Sequence, residues 1–398
     1  MRRLVVLLLL LGCSSQPKAK TITLGAVLSQ TGELADIGAG ELQAANLAVS
    51  QINAAGGVLG AQLALDAKDD HSEADAGVAA AQALVSAGVP VILGAVASGV
   101  TIPIAQQVAI PAGVVLISGA STSPAYTALH ADGGWTFRTC PSDALQGKLL
   151  AERASAKGFT KVAALYDPGA YGSGLAAAFQ QGFADAGTVA YFQPFAEGET
   201  DYTAQLGALF ATSPQGVLLV AYPEDGTTIL KDYLASYSGQ PVFWFFTDSL
   251  DDPGFIAGLG ASSFTFAHEG TTPATPDGGA YDAFAAAFQS QVGGPPPEWS
   301  ANLYDAVYLV ALAMTAAGQS DAASVASHLV AVSGGPGTAV GPSSYARAVE
   351  ALQSGQGINY GGASGPVDFD AAGDVVGPYD IWHVQDGGVA IVEHSVSP

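Results

Sequence analysis

From Thr21 to about Ala267, short apolar runs alternate with stretches of helical periodicity, and that alternation restricts the chain to a parallel α/β architecture. Ile22–Val27 and Leu63–Ala67 read as strands, as do the apolar runs ending at Gly94 and Ser118. Gly38 to Ala55 and Ser72 to Gly88 read as the helices between them. In the first helix Leu42, Ala45, Leu47, Val49 and Ile52 recur at helical spacing, and Gly56-Gly57 stops it. A second run begins near Ser142. Its strands are Lys161–Tyr166, Val189–Phe195, Val217–Tyr222, Val242–Phe246 and Phe264–Ala267, with Gly172–Ala186 as a helix. After Pro295-Pro296-Pro297 comes a long apolar helix, Asn302–Ala317, expected to pack back on the first lobe. Val367–Phe369, Tyr379–Val384 and Val389–Glu393 return to strand character. Two α/β lobes with several chain crossings between them are expected, and hinged lobes close around ligands.

Two strands of the first run end in small, hydroxyl-bearing loops. Val91-Ile92-Leu93-Gly94 opens into Ala95-Val96-Ala97-Ser98-Gly99. Val114-Val115-Leu116-Ile117-Ser118 opens into Gly119-Ala120-Ser121-Thr122-Ser123. Ligands of open parallel sheets collect outside the carboxyl ends of strands, and helix N-termini that follow such loops favour anions. The pair suits a carboxylate. No side chain there is poised for chemistry, so the pattern reads as a grip on a small molecule.

The formal charge of -23, from 12 Lys and Arg against 35 Asp and Glu, repels phosphate backbones and anionic lipid. Nucleic acid is therefore not an expected partner. A hydrophobic fraction of 49% excludes a disordered chain.

The first residues read as a targeting segment. Arg2-Arg3 precede the unbroken apolar run Leu4–Leu11, too short for a bilayer core of roughly 30 Å and suited to a secretory signal. It ends Leu10-Leu11-Gly12-Cys13, which resembles a bacterial lipoprotein box except that Leu11 stands where Ala or Ser is usual. Cys13 is the expected lipidation site, with Ser14–Lys20 as a polar tether. An ordinary signal peptide is the alternative. Only Cys140 then remains, which excludes an internal disulfide or a cysteine metal site; it reads as a small buried residue.

Together these stretches resemble the periplasmic branched-chain amino acid binding proteins, the receptors of ABC importers with the type I periplasmic binding fold. The resemblance runs from Thr21 to Glu393. It rests on Ile22-Thr23-Leu24-Gly25-Ala26-Val27, Thr31-Gly32, Gln51-Ile52-Asn53-Ala54-Ala55-Gly56-Gly57-Val58-Leu59-Gly60 and Asp69-Asp70. Phe137-Arg138-Thr139, Asp167 with Tyr171-Gly172, Tyr304-Asp305-Ala306 and Gly365-Pro366-Val367-Asp368-Phe369 continue it. It implies two Rossmann-like lobes joined by a multi-crossing hinge. Residues 1–20 would be signal and tether, 21–140 plus 268–376 the N-terminal lobe, and 141–267 plus 377–398 the C-terminal lobe. Crossings would fall near Pro141, Ala267 and Gly377.

By place in these motifs, Ser98 matches the hydroxyl that binds the ligand carboxylate. Ala120 and Thr122, with Ser121 between them, match its partners in the next loop. Tyr171 matches the aromatic that closes from the second lobe, and Tyr222 a second such contact. Asp248 stands where the family places the acid that meets the α-ammonium, and Trp299 at an aromatic position of the side-chain pocket. Ile37 stands where some relatives place a ring, and the first-lobe disulfide of some relatives is missing.

The resemblance implies a monomeric, non-enzymatic, lipid-anchored receptor in the periplasm or cell envelope. It would bind a branched-chain or other small aliphatic amino acid, or a related carboxylate. An inner-membrane ABC permease is the implied partner, the lipid the only membrane contact, and no cofactor or metal is implied. Read without the family, Ser98, Thr122 and Asp248 could merely cap helices, and Tyr171 and Tyr222 could be rim packing. A sensor that signals to a regulatory partner is the alternative function. Gly38-Ala39-Gly40 lacks the third glycine of a dinucleotide fingerprint. Asp69-Asp70-His71 has no second cluster at metal-ligand spacing, and Ser98 is not in a Gly-x-Ser-x-Gly elbow.

Overall fold

The computed structural model describes residues 20–398; the targeting segment, Cys13 and most of the tether lie outside the described residues. Strands β1 (Thr21–Leu28), β2 (Gln62–Asp69), β3 (Val91–Gly94), β4 (Val115–Ser118) and β5 (Thr136–Arg138) form one sheet in the order β2-β1-β3-β4-β5. All its pairings are parallel. β3 and β4 are buried along their whole length, as strands covered by helices on both faces must be.

The second run supplies β6 (Lys161–Tyr166), β7 (Thr188–Pro194), β8 (Gly216–Val220), β9 (Phe243–Phe246) and β10 (His268–Pro273). The chain then returns to the first lobe, where β11 (Thr338–Val340), β12 (Ile358–Gly362) and β13 (Gly365–Pro366) make a small sheet. It crosses back for β14 (Tyr379–Gln385) and β15 (Gly388–Val396). The second sheet runs β15-β14-β10-β9-β8-β6-β7, with β14 antiparallel to both neighbours.

The expected strand Phe264–Ala267 is displaced to His268–Pro273, because β10 enters the sheet only where His268 faces Trp244. Phe264 and Phe266 instead pack their rings against Phe255, Tyr233 and Trp244. The lobe boundary moves with the strand: residues 268–273, expected in the N-terminal lobe, belong to the second sheet, and the crossing follows Pro273. β10 carries little apolar signal, and its Gly270 is required by close approach. A Cβ there would lie 2.1 Å from the Trp382 ring. Val367–Phe369 is not a strand; Val367 and Phe369 are core residues that follow β13.

The long apolar helix spans Ser300–Ala317 and buries residues on every side. It packs into the first-lobe core. The Tyr308 hydroxyl donates to Gln51 Oε1 at 2.8 Å, tying it to the helix Ala35–Ala54. A helix apolar all round is a core helix, and among the described residues no single helix is long and apolar enough to cross a membrane.

Candidate ligand-binding cleft

A cavity of about 1120 Å³ lies between the lobes, at the carboxyl ends of the parallel strands of both sheets. Ser98, Ala120, Thr122, Tyr171, Tyr222, Asp248 and Trp299 all line it. Ser121 does not, and sits behind the wall.

On the first-lobe wall Ser98 opens the helix after β3. Its Oγ accepts from the Ser123 N–H at 3.2 Å and the Ser121 hydroxyl at 3.3 Å. With both lone pairs engaged, the Ser98 hydrogen is left to donate into the cleft. Ser121 therefore orients Ser98 and makes no direct wall. The Ala120 and Ser121 N–H groups donate to Ser118 Oγ at 3.2 and 2.9 Å, so they shape the loop. Gly119 is needed there because a Cβ would lie 2.3 Å from Glu41 Oε1. Glu41 is fully buried with no partner on either oxygen among the described residues, and burial pushes its carboxyl well up.

Behind the loop lies Arg138, fully buried at the end of β5. Its Nη1 donates to the carbonyls of Thr122 at 2.7 Å and Ser123 at 2.9 Å, and more weakly to Ser121 at 3.3 Å. Its Nη2 meets Asp374 Oδ2 at 2.6 Å. A guanidinium fork suits several acceptors at once, so Arg138 gathers three successive carbonyls of the loop.

The second wall is aromatic and acidic. Tyr171 stacks on Tyr222 with ring centroids 5.5 Å apart at 27°. The Tyr171 hydroxyl lies 3.1 Å from Asp248 Oδ1 and 2.9 Å from both Thr247 Oγ1 and Ser249 Oγ. Ser249 donates to the Ala221 carbonyl at 2.8 Å. Burial, then Asp248 and Asp143, raise the Tyr171 phenol, which stays neutral. Asp248 follows β9 and is 5% exposed; burial pushes its carboxyl up to about 6.

Asp143 opens the helix after Ser142, a position that carries no sequence signal for the cleft. It is fully buried, and Thr122 Oγ1 donates to its Oδ2 at 3.0 Å while Oδ1 has no partner among the described residues. Burial and then Asp248 hold its carboxyl well above the usual range. Asp251 and Glu298 also line the cleft, where only folding brings the turn after β9 beside the segment before Trp299. Burial and then Asp248 raise Asp251 to about 7, and Glu298 is raised by burial, Asp248 and Asp251. Trp299 itself adopts a left-handed backbone with φ +65° and caps the helix Ser300–Ala317.

Cys140 is a buried free thiol raised by burial, and so is unreactive. Asp69 Oδ1 accepts from the N–H groups of Gln30, Thr31 and His71 at 2.9, 3.1 and 2.9 Å. That carboxylate ties the loop after β1 to the end of β2.

The sequence profile of the periplasmic binding proteins matches residues 21–388. This chain belongs to that family. Its members are binding proteins, not enzymes. The binding protein is 27% identical over 377 residues to a Leu/Ile/Val-binding protein homologue of Brucella melitensis, covering 94% of each chain. It is 30% identical over 322 residues to the leucine-, isoleucine-, valine-, threonine- and alanine-binding protein of Pseudomonas aeruginosa, with 78% of this chain and 82% of the relative covered. It is 28% identical to the chemotactic substrate-binding protein BasB of Halobacterium salinarum, over 92% of this chain and 88% of the relative. Its fold matches that of LivJ from Streptococcus pneumoniae, solved with isoleucine, at a TM-score of 0.78 and 24% identity over 95% of this chain and 100% of that one. The substrate-binding protein of Desulfitobacterium hafniense in complex with Leu superposes with a TM-score of 0.66 at 25% identity, over 94% of this chain and 100% of that one.

Proposed function

We propose that this binding protein captures an α-amino acid in the cleft between its lobes and delivers it to an ABC permease, acting as a monomer anchored in the cell envelope through Cys13. The observation that carries this reading is a free hydroxyl donor, Ser98, on one wall and a buried acid, Asp248, on the other. An amino acid buried between lobes must satisfy a carboxylate and an ammonium, each costing several kcal/mol if left unpaired. Ser98 meets the first and Asp248 the second, while Tyr171 and Tyr222 cover the side chain. Leucine and isoleucine in the two solved neighbours favour the same ligand class.

A second reading has one observation in its favour: BasB serves chemotactic signal transduction. The closed protein would then present itself to a signalling partner. Both readings require amino-acid capture. Thermal-shift measurement of the purified protein against the common L-amino acids, followed by calorimetry on the hits, tests it. At least one amino acid should bind saturably with micromolar or tighter affinity. Absence of any saturable amino-acid ligand would overturn the reading. Reconstitution with its permease in liposomes then separates transport from sensing.

A further inference from the structure

The cleft gathers more carboxyl groups around Asp248 than a single ammonium requires. Asp248, Asp251, Asp252 and Glu298 all line the cavity, and no lysine, arginine or histidine is among the described residues that line it. Of these carboxylates, Glu298 accepts from Thr272 Oγ1 at 2.6 Å and Asp252 from the Phe255 N–H at 2.7 Å. Asp251 draws on no hydrogen bond among the described residues and feels Asp248, Asp252 and Asp380 as like charges. A second observation lies just behind the lining: the fully buried Asp143 carboxylate, held against the lining residue Thr122, leaves Oδ1 without a partner among the described residues. Arg138 holds the loop carbonyls and Asp374, while the His394 ring lies 2.7 Å from Asp380 and 3.2 Å from Asp277 at the cleft's edge, away from Asp251 and Glu298.

Clustered carboxylates without a counterion are costly, and no described residue lining the cleft supplies one. We infer that the ligand is an α-amino acid bearing a second cationic group on its side chain, with Asp248 meeting the α-ammonium and Asp251 with Glu298 meeting the second cation. This rests on the amino-acid reading above and replaces the small aliphatic side chain expected from sequence. The aromatic components fit the same ligand. Tyr171, Tyr222 and Trp299 cover a methylene stem with ring faces, and ring faces also attract a cation at its end. A leucine side chain would instead lie against carboxylates it cannot satisfy.

L-Lysine and L-norleucine decide the matter, since they share chain length and differ in the terminal ammonium. Calorimetry at pH 7.5 on the full mature protein should give lysine at least a tenfold tighter Kd than norleucine. In the double variant Asp251→Asn with Glu298→Gln, that ratio should fall to threefold or less. If the double variant does not fold, Asp251→Asn alone should at least halve the ratio. Norleucine or leucine binding as tightly as lysine would overturn the second cation and leave the amino-acid reading standing. A lysine preference that survives both variants unchanged would overturn the assignment of its counterions. If no amino acid binds, the amino-acid reading falls, and this inference with it.

Discussion

Arg138 and Asp374, 236 residues apart in sequence, meet through Nη2 and Oδ2 at 2.6 Å, so the segment between β13 and the last crossing to the second lobe locks the base of the loop after β4. Thr127 Oγ1 donates to the same Asp374 oxygen at 2.7 Å. The pair is positioned to hold the loop, because the other guanidinium nitrogen gathers the carbonyls of residues 121–123. Truncating one member of a buried pair leaves its partner uncompensated and costs about 3–5 kcal/mol. Arg138→Met should lower unfolding stability by that order in urea denaturation. Asp374→Asn, which keeps an acceptor oxygen, should cost less. Wild-type stability in Arg138→Met would show that the loop is held by other contacts.

Asp248 is the acid that the proposed ammonium contact depends on. Asp248→Ala should weaken the amino-acid ligand at least tenfold, about 1.4 kcal/mol, while circular dichroism shows an unchanged fold. Tyr171→Phe, which removes the hydroxyl 3.1 Å from Asp248 Oδ1 and keeps the ring, should cost less than Asp248→Ala. The reverse order by calorimetry would place the ammonium elsewhere.

The cleft's carboxyls also set a pH dependence. Burial pushes the Asp248 carboxyl up to about 6 in the folded protein, well above an ordinary aspartate. Raising an acid's folded value means the folded state holds the proton more tightly than the unfolded chain. Stability of the free protein should therefore fall as pH rises from about 4 to about 6, and Asp251, raised to about 7, extends the decline. An ammonium ligand needs the ionised form, so its affinity runs the other way. Between pH 5 and pH 7 a single such acid supplies about a tenfold gain. Calorimetry across this range checks the slope, and a flat Kd would remove Asp248 from the contact.

Closure should be measurable as well. Ser98 and Asp248 stand on walls from different lobes, and the chain crosses between lobes near Pro141, after Pro273 and near Gly377. Such connections permit rotation without unfolding either core. Small-angle scattering should give a smaller radius of gyration when ligand is saturating than when it is absent. Superimposable curves would mean that the free protein is already closed.

The parts of this fold legible in sequence are those whose burial leaves an apolar trace. β3, β4, β6 and β8 are almost continuous apolar runs because helices cover both faces, and the loops after β3 and β4 stand out as small and hydroxylated. β10 left little trace: His268–Pro273 gains its place from register with β9 and from Gly270 under Trp382. The acids divide in the same way. Asp248 sits directly after an aromatic strand and could be singled out. Asp143 looks like a helix-start acid, and Glu298 follows a proline run, so neither position signals its neighbours. Their role arises from folding, which places them around Asp248. Ser121 shows the converse, since adjacency to Thr122 suggests the cleft while the backbone turns its hydroxyl to Ser98.

The anchor is separable from all of this. The apolar run Leu4–Leu11 before Gly12-Cys13 argues for cleavage ahead of Cys13 and for a diacylglycerol on its sulfur. One acyl chain holds a protein at a membrane only marginally, whereas two or more anchor it firmly. The native protein should therefore partition into the detergent phase, and Cys13→Ser should release it to the aqueous phase. Intact mass should show a mature chain that begins at Cys13 and carries the lipid. A chain cut elsewhere, with Cys13 unmodified or removed, would overturn the anchor. Ligand affinity should be the same in the anchored and released forms, because every proposed contact lies after Thr21.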